Sequence, residues 1–387
     1  MRATAVTAAL AAAALLLTAG CTSGGEARPS PEPSGTGRTL PSATGTSAST
    51  PPARGTVKVV RTVTDDLDSP WGLAPLPGGD LLVSSRDTGK IFRISGRNGK
   101  KTELGSVPGV SADGEGGLLG IALPRDFGKN RMVYAYLTTE SDNRIVRMAY
   151  DAKKPPGGQL GAPDTVLRGI PKGAIHNGGR IAFGPDGMLY AGTGESGDGE
   201  LSQDTSSLGG KILRMTPEGE PVHGNPEADS VVYSYGHRNV QGLAWDTGKR
   251  LWASEFGQNT WDELNSIRPG GNYGWPEAEG KAGKRGLIDP VEQWRPDEAS
   301  PSGIAFSAGS LWIAALRGER LWRVPLTGGG AEERPSAPPQ AFLEGRYGRL
   351  RTVVADGPGK LWLVTSETDG RGSPGAGDDR ILLLEVT

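Results

Sequence analysis

The sequence contains very little cysteine and histidine. Its 387 residues include one cysteine and three histidines. A single cysteine excludes an intramolecular disulfide, and no two histidines lie close enough in the sequence to indicate a zinc site. The formal net charge is -2, without a long run of one sign, which gives no support for a nucleic-acid partner. The glycines between Asp113 and Gly120 lack the βαβ context of a dinucleotide fingerprint, and no serine nucleophile elbow is present.

A short apolar run at the N-terminus predicts a secretory signal over residues 1–20. The segment begins with Arg2, continues through alanines and leucines, and ends in small residues directly before Cys21. The run is too short to remain as a membrane-spanning anchor. It favours a lipoprotein signal in which Cys21 is lipidated; the alternative is an ordinary cleaved signal with an incidental cysteine. We therefore expect export, with a lipid anchor on the outer face of the cytoplasmic membrane or, with an ordinary signal, a periplasmic or secreted protein.

The segment that follows differs sharply in composition from the rest of the chain. Residues 22–55 are mostly serine, threonine, proline and glycine. Such a segment buries too little apolar surface to offset the entropy lost on ordering, which predicts a disordered tether. Residues 56–387 are long enough for a large core and are predicted to form one catalytic domain. Membrane contact is expected through the lipid anchor alone.

One structural unit recurs six times along residues 56–387. A small apolar triplet follows a turn rich in glycine, proline or aspartate, and successive triplets are 50 to 62 residues apart. The middle residues of the triplets are Leu82, Val133, Tyr190, Trp252, Trp312 and Trp362. A second apolar run precedes most triplets and an alternating run follows them, as half-buried strands require.

This repeat predicts an all-β fold, a six-bladed β-propeller of four-stranded antiparallel blades. Short strands in a repeat of roughly 40–60 residues are typical of propellers. The alternative is a β-sandwich, which has no reason to repeat the same turn, triplet and exit run. Residues 56–63 precede the first unit and are predicted to complete the last blade. Functional residues of a propeller lie on loops at one end of the central channel.

A histidine and a carboxylate belong to the same repeat unit. His176 precedes the inner strand of the third unit, and Glu195 follows its triplet strand. A neutral imidazole beside a carboxylate is the usual pairing for a general base. The alternative is a structural or exposed histidine in a glycine-rich loop.

Two further clusters are rich in arginine. Arg238, Asn239 and Gln241 directly precede the fourth inner strand and could hold a planar ligand rich in carboxylates. A buried arginine network bracing the blade is the alternative. A second group occurs near strand ends of the last two units and consists of Arg317, Arg349 and Arg351. Together these side chains predict a basic channel mouth for an anionic ligand.

A fourth cluster combines carboxylates with glycines. Glu255, Asp262 and Glu263 lie in and around an irregular stretch whose glycines expose backbone carbonyls. Hard oxygen ligands of this kind suit Ca²⁺, although the spacing is not that of an EF-hand.

Taken in order, several motifs resemble one known family. "GEGGLLGIAL", "HNGGRIAFGPDG", "GHRNVQGLAWD", "DELNSIRPGGNYGWP" and "GRLRTV" occur in this sequence. Together they resemble the soluble-type pyrroloquinoline quinone (PQQ)-dependent glucose and aldose sugar dehydrogenases, over residues 65–387. The resemblance implies a six-bladed propeller that oxidises a small sugar at the anomeric carbon to the lactone. Hydride would pass to PQQ beside Ca²⁺, and an external acceptor (a quinone, a dye or a cytochrome) would reoxidise the cofactor.

The resemblance also implies a role for each matching residue. His176 corresponds to the catalytic base and Glu195 to its acidic partner. Cofactor contacts are implied for Arg238, Asn239, Gln241, Arg317, Arg349 and Arg351, with Arg317 standing where glucose enzymes have lysine. Glu115 stands where some members have glutamine near the substrate. Backbone oxygens of Gly257 and Gln258 correspond to ligands of the cofactor-bound Ca²⁺, and Glu263 and Tyr273 to a structural Ca²⁺ site.

Two other functions remain open at the level of sequence. One is a non-enzymatic cell-surface propeller that binds a glycan or a protein, and the other is a Ca²⁺-dependent lactonase, since propellers host both. A hydrolase would place several Asp, Asn and Glu side chains around a central metal, whereas the set here is richer in arginine. The joint presence of His176 and the arginines favours the redox enzyme.

Overall fold

The computed structural model describes residues 51–327 and 334–387. Within these ranges six four-stranded antiparallel sheets form the blades of a β-propeller, which confirms the predicted fold. The first strand is β1 (Val57–Thr64). Blade 1 follows with β2 (Pro70–Pro75), β3 (Leu81–Ser85), β4 (Lys90–Ile94) and β5 (Lys101–Ser106). Blade 2 contains β6 (Leu118–Ala122), the single helical turn α1 (Phe127–Asn130), β7 (Met132–Thr138), β8 (Asn143–Ala149) and β9 (Asp164–Ile170).

The remaining blades repeat this arrangement. Blade 3 contains β10 (Arg180–Phe183), β11 (Leu189–Gly192), a 3₁₀ turn (Gly199–Ser202), β12 (Lys211–Met215) and β13 (Val232–Tyr235). Blade 4 contains β14 (Val240–Trp245), β15 (Leu251–Glu255), β16 (Asp262–Ile267) and β17 (Glu292–Trp294). Blade 5 contains β18 (Pro301–Ser307), β19 (Ser310–Ala315), β20 (Arg320–Pro325) and β21 (Gln340–Phe342), and blade 6 contains β22 (Leu350–Ala355), β23 (Lys360–Thr365) and β24 (Ile381–Val386).

The ring is closed by the two ends of the domain. β1 pairs antiparallel with β24, from Val57 opposite Val386 to Thr64 opposite Ile381. This pairing confirms the prediction that residues 56–63 complete the last blade. It also covers the edge that β24 would otherwise present to solvent.

The repeated triplets lie on the second strand of each blade and fill the spaces between blades. Trp252 and Trp312 are fully buried there, because each sheet packs face to face against its neighbours. In blade 2 the residue in the equivalent register is Tyr134, which pairs with Ala122 as Trp252 pairs with Ala244. The predicted middle residue of that triplet was therefore one position too early, because three consecutive apolar residues do not fix the register of a strand.

The inner strands approach one another closely around the channel. Each inner strand has one residue that pairs with the central residue of the triplet on the second strand. Two positions before that residue, four blades have a glycine, namely Gly72, Gly120, Gly242 and Gly303. A Cβ atom at Gly72 would lie 2.7 Å from the backbone nitrogen of Ile121, so a side chain does not fit at this point.

Blade 3 has an arginine where these four blades have glycine, and blade 6 has Thr352. The guanidinium of Arg180 donates hydrogen bonds to the carbonyl of Gln241 (2.8 Å) and to Oγ1 of Thr352 (3.1 Å). Its Cζ lies 4.3 Å from the ring centroid of Trp71. Because Thr352 belongs to the blade opposite blade 3, the Arg180 side chain crosses the central channel. Burial, and then the charge of Arg351, lower the pKa of Arg180 to about 9, so it remains a cation at neutral pH.

Arg180 separates two cavities that share no lining residue. One is an apolar channel of about 360 Å³ lined by the six inner strands. The other lies at the opposite end and is lined mainly by charged and polar residues.

The predicted signal segment, Cys21 and the predicted tether as far as residue 50 lie outside the described residues. The last tether residues contact blade 5: the carbonyl of Pro52 accepts a hydrogen bond from Arg323 (2.8 Å). None of the helices in the described ranges has the length and apolar character needed to cross a bilayer.

Candidate functional site

The polar cavity has a volume of about 230 Å³ and receives residues from all six blades. Most of the residues predicted for the site line it: Glu115, His176, Arg238, Gln241, Gly257, Gln258, Arg317, Arg349 and Arg351. Four predicted residues do not line it, namely Glu195, Asn239, Glu263 and Tyr273. The loops that precede the inner strands and those that follow the second strands converge here, as expected for the mouth of a propeller.

The His176 ring is held between a carboxylate and a guanidinium. Its Nδ1 lies 2.7 Å from Oε1 of Glu195, and its Nε2 lies 2.8 Å from Nη2 of Arg238. A guanidinium can only donate, so Nε2 accepts and the ring proton resides on Nδ1, where it donates to Glu195. This tautomer leaves Nε2 without a proton, as a general base requires, but its single lone pair is directed at Arg238. Glu195 lies behind the histidine and is itself held by the backbone N–H of Gly197.

Asn239 lies behind the cavity wall. Its Oδ1 accepts hydrogen bonds from the backbone N–H of Gly178 (3.0 Å) and from Nε2 of Gln241 (3.1 Å). The structure thus places Asn239, predicted as a cofactor contact, where it orders the turn after His176. Asn239 is fully buried, and these two hydrogen bonds hold its amide oxygen against Gly178 and Gln241 instead of in the cavity.

Arg238 connects the histidine to the wall formed by blade 4. Its Nη1 donates to the carbonyl oxygens of Gly257 (2.6 Å) and Phe256 (3.2 Å). Its Nε is buried without a hydrogen-bond partner in the described part of the chain. Burial lowers the pKa of Arg238, although nearby glutamates oppose the shift. A buried, incompletely paired guanidinium points to an acceptor that the protein alone does not supply.

Arg349 and Arg351 share one buried carboxylate. Oδ2 of Asp369 lies 2.9 Å from Nη2 of Arg349 and 3.1 Å from Nη2 of Arg351. Burial acts to raise the pKa of Asp369, but the two guanidiniums outweigh burial and hold this pKa below its ordinary value. Asp369 is not among the residues predicted from the sequence. A signal was available, because Asp369 and Glu195 both occupy the loop after the second strand of a blade.

The rim of the cavity carries an arginine without a partner. Arg317 is exposed, lines the cavity, and makes no hydrogen bond or ion pair with another described residue. In all, six arginines line the cavity against three carboxylates: Arg86, Arg238, Arg317, Arg349, Arg351 and Arg371 against Glu115, Asp262 and Asp369. The lining therefore carries more positive than negative groups, although Arg86 also pairs with Asp87 outside the lining.

The blade 4 wall contains the residues predicted to bind metal. The carbonyl of Gly257 faces Arg238, and the loop of residues 258–261 donates four backbone N–H groups to Oε1 of Glu279, at 2.6 to 3.2 Å. Asp262 accepts the N–H of Gly257 (2.9 Å), and burial raises the pKa of Asp262 to about 6. These bonds fix the loop and the direction of its carbonyl oxygens.

Glu263 and Tyr273 line a second, small cavity of about 10 Å³ together with Glu255 and Glu279. It shares the wall of Arg238, Phe256 and Gly257 with the main cavity. Burial, and then the charge of Glu255, raise the pKa of Glu263. The hydroxyl of Tyr273 donates to the carbonyl of Ser266 (2.7 Å), so this oxygen is already engaged. Across the described ranges, no group of three His, Cys, Asp or Glu side chains has a geometry that could hold a metal ion.

Fold and site together define a propeller with a cationic cavity that contains a histidine paired with a carboxylate. Residues 67–382 match the family described as Glucose / Sorbosone dehydrogenase, and the chain belongs to this family. It is an oxidoreductase, as the resemblance of its motifs predicted. Family membership favours the enzyme over the non-enzymatic propeller and the lactonase that the sequence left open.

Individual relatives agree with this assignment. The chain is 72% identical to the aldose sugar dehydrogenase from Streptomyces coelicolor, solved in its PQQ-bound form, with a TM-score of 0.85 and coverage of 87% of this chain and 100% of that one. It is 30% identical to the aldose sugar dehydrogenase YliI of Escherichia coli, over 80% of this chain and 91% of the relative. Quinoprotein glucose dehydrogenase B of Acinetobacter calcoaceticus is 32% identical over 57% of this chain and 52% of the relative.

Proposed function

We propose that the protein oxidises an aldose at the anomeric carbon to the lactone, with PQQ as the hydride acceptor and Ca²⁺ beside it. The observation that carries the proposal is the excess of arginines over carboxylates in a cavity that also contains the His176 base. PQQ bears three carboxylates, and a cationic cavity suits such an anion. The S. coelicolor relative, which is PQQ-bound in its solved structure, supports the same cofactor.

The residues present fit such a group. Arg349 and Arg351 would hold its carboxylates by charge-assisted hydrogen bonds, and Arg317 has donors that no other described residue engages. The buried Nε of Arg238 likewise has no partner in the described residues. Backbone oxygens of Gly257 and Gln258, on the same wall, would serve as hard ligands for Ca²⁺.

The chemistry divides between the cofactor and the chain. When bound, PQQ would supply a two-electron acceptor and Ca²⁺ a Lewis acid. His176 removes the proton of the anomeric hydroxyl at Nε2 as hydride leaves the anomeric carbon. Glu195 accepts the Nδ1 hydrogen bond, fixes the tautomer and stabilises the imidazolium that forms. Arg238 holds Nε2 before the sugar binds, and it gives up this hydrogen bond when the sugar hydroxyl approaches, because Nε2 has a single lone pair.

One experiment tests the function. The purified protein is mixed with PQQ and Ca²⁺, and dye reduction is followed across a panel of aldoses. We expect PQQ to raise the melting temperature, because a ligand that binds only the native state stabilises it. We also expect dye reduction that depends on sugar and falls after chelation of Ca²⁺. Absence of both cofactor binding and dye reduction would reject the proposal.

We further propose that the protein is exported and tethered through a lipid on Cys21, with a small sugar and an external electron acceptor as its partners. The sequence of residues 1–55 supports this placement. Replacing Cys21 with serine removes the only lipidation site of this kind. We expect Cys21→Ser to move the protein from the membrane fraction to the soluble fraction; an unchanged distribution would contradict the lipid anchor.

A further inference from the structure

Glu115 connects three segments at the mouth of the cavity. It lies in the loop between β5 and β6 and is half-buried. Its Oε2 accepts a hydrogen bond from the backbone N–H of His176 (2.9 Å), and its Oε1 accepts one from Nη2 of Arg371 (2.6 Å). Its own N–H donates to the carbonyl of Ala174 (2.8 Å). The segments around residues 115 and 175 are thus tied to each other in both directions.

The backbone of His176 has an unusual conformation at this point. Its φ is 55°, in the left-handed region that residues other than glycine rarely adopt. Its carbonyl accepts the N–H of Ser196 (3.1 Å) and lies so close to Gly194 that a Cβ there would be 2.0 Å from it. Glu115 holds the N–H and Ser196 the carbonyl, so both backbone groups of this residue are fixed.

The orientation of the imidazole depends on this backbone. From its left-handed position the ring reaches Glu195 on one side and Arg238 on the other. A rotation of the His176 backbone would move Nε2 away from the cavity. The group that holds the N–H therefore controls the direction of the base.

The glycines around Glu115 allow this approach. Gly114 has a φ of 58°, and a Cβ at this residue would lie 2.1 Å from the carbonyl oxygen of Ala174. Gly117 has a φ of 137°, and a Cβ there would lie 2.4 Å from the carbonyl oxygen of Arg86. The glycines between Asp113 and Gly120 thus allow the Glu115 carboxylate to lie against the backbone of residues 174–176.

We propose that Glu115 is a positioning residue, whose carboxylate holds His176 in the left-handed conformation and so directs Nε2 at the sugar hydroxyl, with Arg371 bracing the carboxylate. This inference rests on the proposed function and deepens it. It differs from the role that the family resemblance implied for this position, a contact with cofactor or substrate. Arg371 belongs to the same loop as Asp369, so one loop supports both the arginine pair and the base.

Two variants separate an acceptor role from a charge role. Glu115→Ala removes the acceptor for the His176 N–H, whereas Glu115→Gln keeps an oxygen in the same place and removes the charge. Glu344→Ala is the matched control, because Glu344 is exposed and forms only a long ion pair (3.8 Å) with Arg320.

The first measurement is hydrogen exchange of the His176 amide in the cofactor-free protein. We expect Glu115→Ala to accelerate this exchange at least tenfold, with near-native rates in Glu115→Gln and Glu344→Ala. This measurement does not depend on turnover, so it tests the positioning even if the proposed reaction fails. Unchanged exchange in Glu115→Ala would overturn the inference.

The second measurement compares kcat and KM of the PQQ-loaded variants. Misplacing a catalytic group by about 1 Å costs on the order of 10²-fold in rate, so we expect Glu115→Ala to lower kcat by about 10- to 100-fold. The KM for sugar and the binding of PQQ should change little, and Glu115→Gln should restore most of kcat. A raised KM with unchanged kcat would assign Glu115 to sugar binding, and an equal loss in both variants would assign it a charge role; either result contradicts the inference.

Discussion

Replacing His176 with asparagine lowers the turnover of the PQQ-loaded protein by about 10³-fold, the middle of the range expected when a general base is lost. The reason is geometric, since the shorter amide places no basic nitrogen where Nε2 lies, 2.8 Å from Arg238. Binding of PQQ is retained, because the arginine pair of blade 6 is untouched. The measurement is steady-state dye reduction with saturating sugar, together with a PQQ titration of the same preparation.

His223 provides the control for this change. It is exposed and lies in a turn-rich loop outside the cavity. His223→Asn should therefore leave turnover unchanged. Comparable activity in the His176 variant and the wild type would remove His176 from the mechanism.

Replacing Asp369 with asparagine lowers the free energy of unfolding of the cofactor-free protein by about 3–5 kcal/mol at neutral pH, as expected when one partner of a buried ion pair is removed. Asp369 is the carboxylate on which Arg349 and Arg351 converge, and its side chain is 3% exposed. The amide keeps the shape but leaves two adjacent guanidiniums without an anion. Urea unfolding of both proteins measures the difference.

The loss of stability caused by Asp369→Asn becomes smaller as the pH falls. The folded protein holds the pKa of Asp369 below its ordinary value of 3.8. The unfolded chain therefore binds this proton at a higher pH than the native state does, and stability is lost as pH falls. The difference between wild type and Asp369→Asn should be fully present above about pH 5 and shrink as pH falls through the folded pKa.

Asp297→Asn is the matched control, because Asp297 and its partner Arg295 are both exposed, with side-chain exposures of 54% and 66%. Exposed pairs contribute about 0–1 kcal/mol, so this variant should unfold nearly as the wild type does. An Asp369 variant that is as stable as this control, at every pH, would contradict the role assigned to the carboxylate.

The architecture could be predicted because it is repeated. A strand pattern that occurs six times at similar spacing identifies a propeller even where the sequence of one copy departs from the pattern. The residues of β16 in blade 4 are such a copy. Register could not be predicted with the same accuracy. In blade 2 the apolar residues are continuous through Met132, Val133 and Tyr134, and only the pairing with β6 distinguishes them.

Site residues could be predicted where they directly precede an inner strand in the sequence. His176 and Arg238 precede β10 and β14 in this way, and both line the cavity. Asp369 was missed because an aspartate in a loop rich in glycine and serine has the sequence character of a solvated turn. Its burial depends on Arg349, which directly precedes β22, and on Arg351 within β22. Only the folded blade 6 brings these two guanidiniums within 3.1 Å of the Asp369 carboxylate. Arg180 stands near the predicted channel mouth, but the sequence does not show that its side chain crosses the channel to Thr352.

The arginine that crosses the channel closes the end of the cavity that faces the apolar channel. A molecule approaching from the apolar end meets Arg180 and Trp71 before it can reach His176. In the proposed reaction the sugar and the electron acceptor therefore both use the opening at the polar end of the cavity. The lactone must leave before the acceptor can reach the reduced cofactor, so the two half-reactions alternate. Excess sugar then competes with the acceptor for access to the cavity.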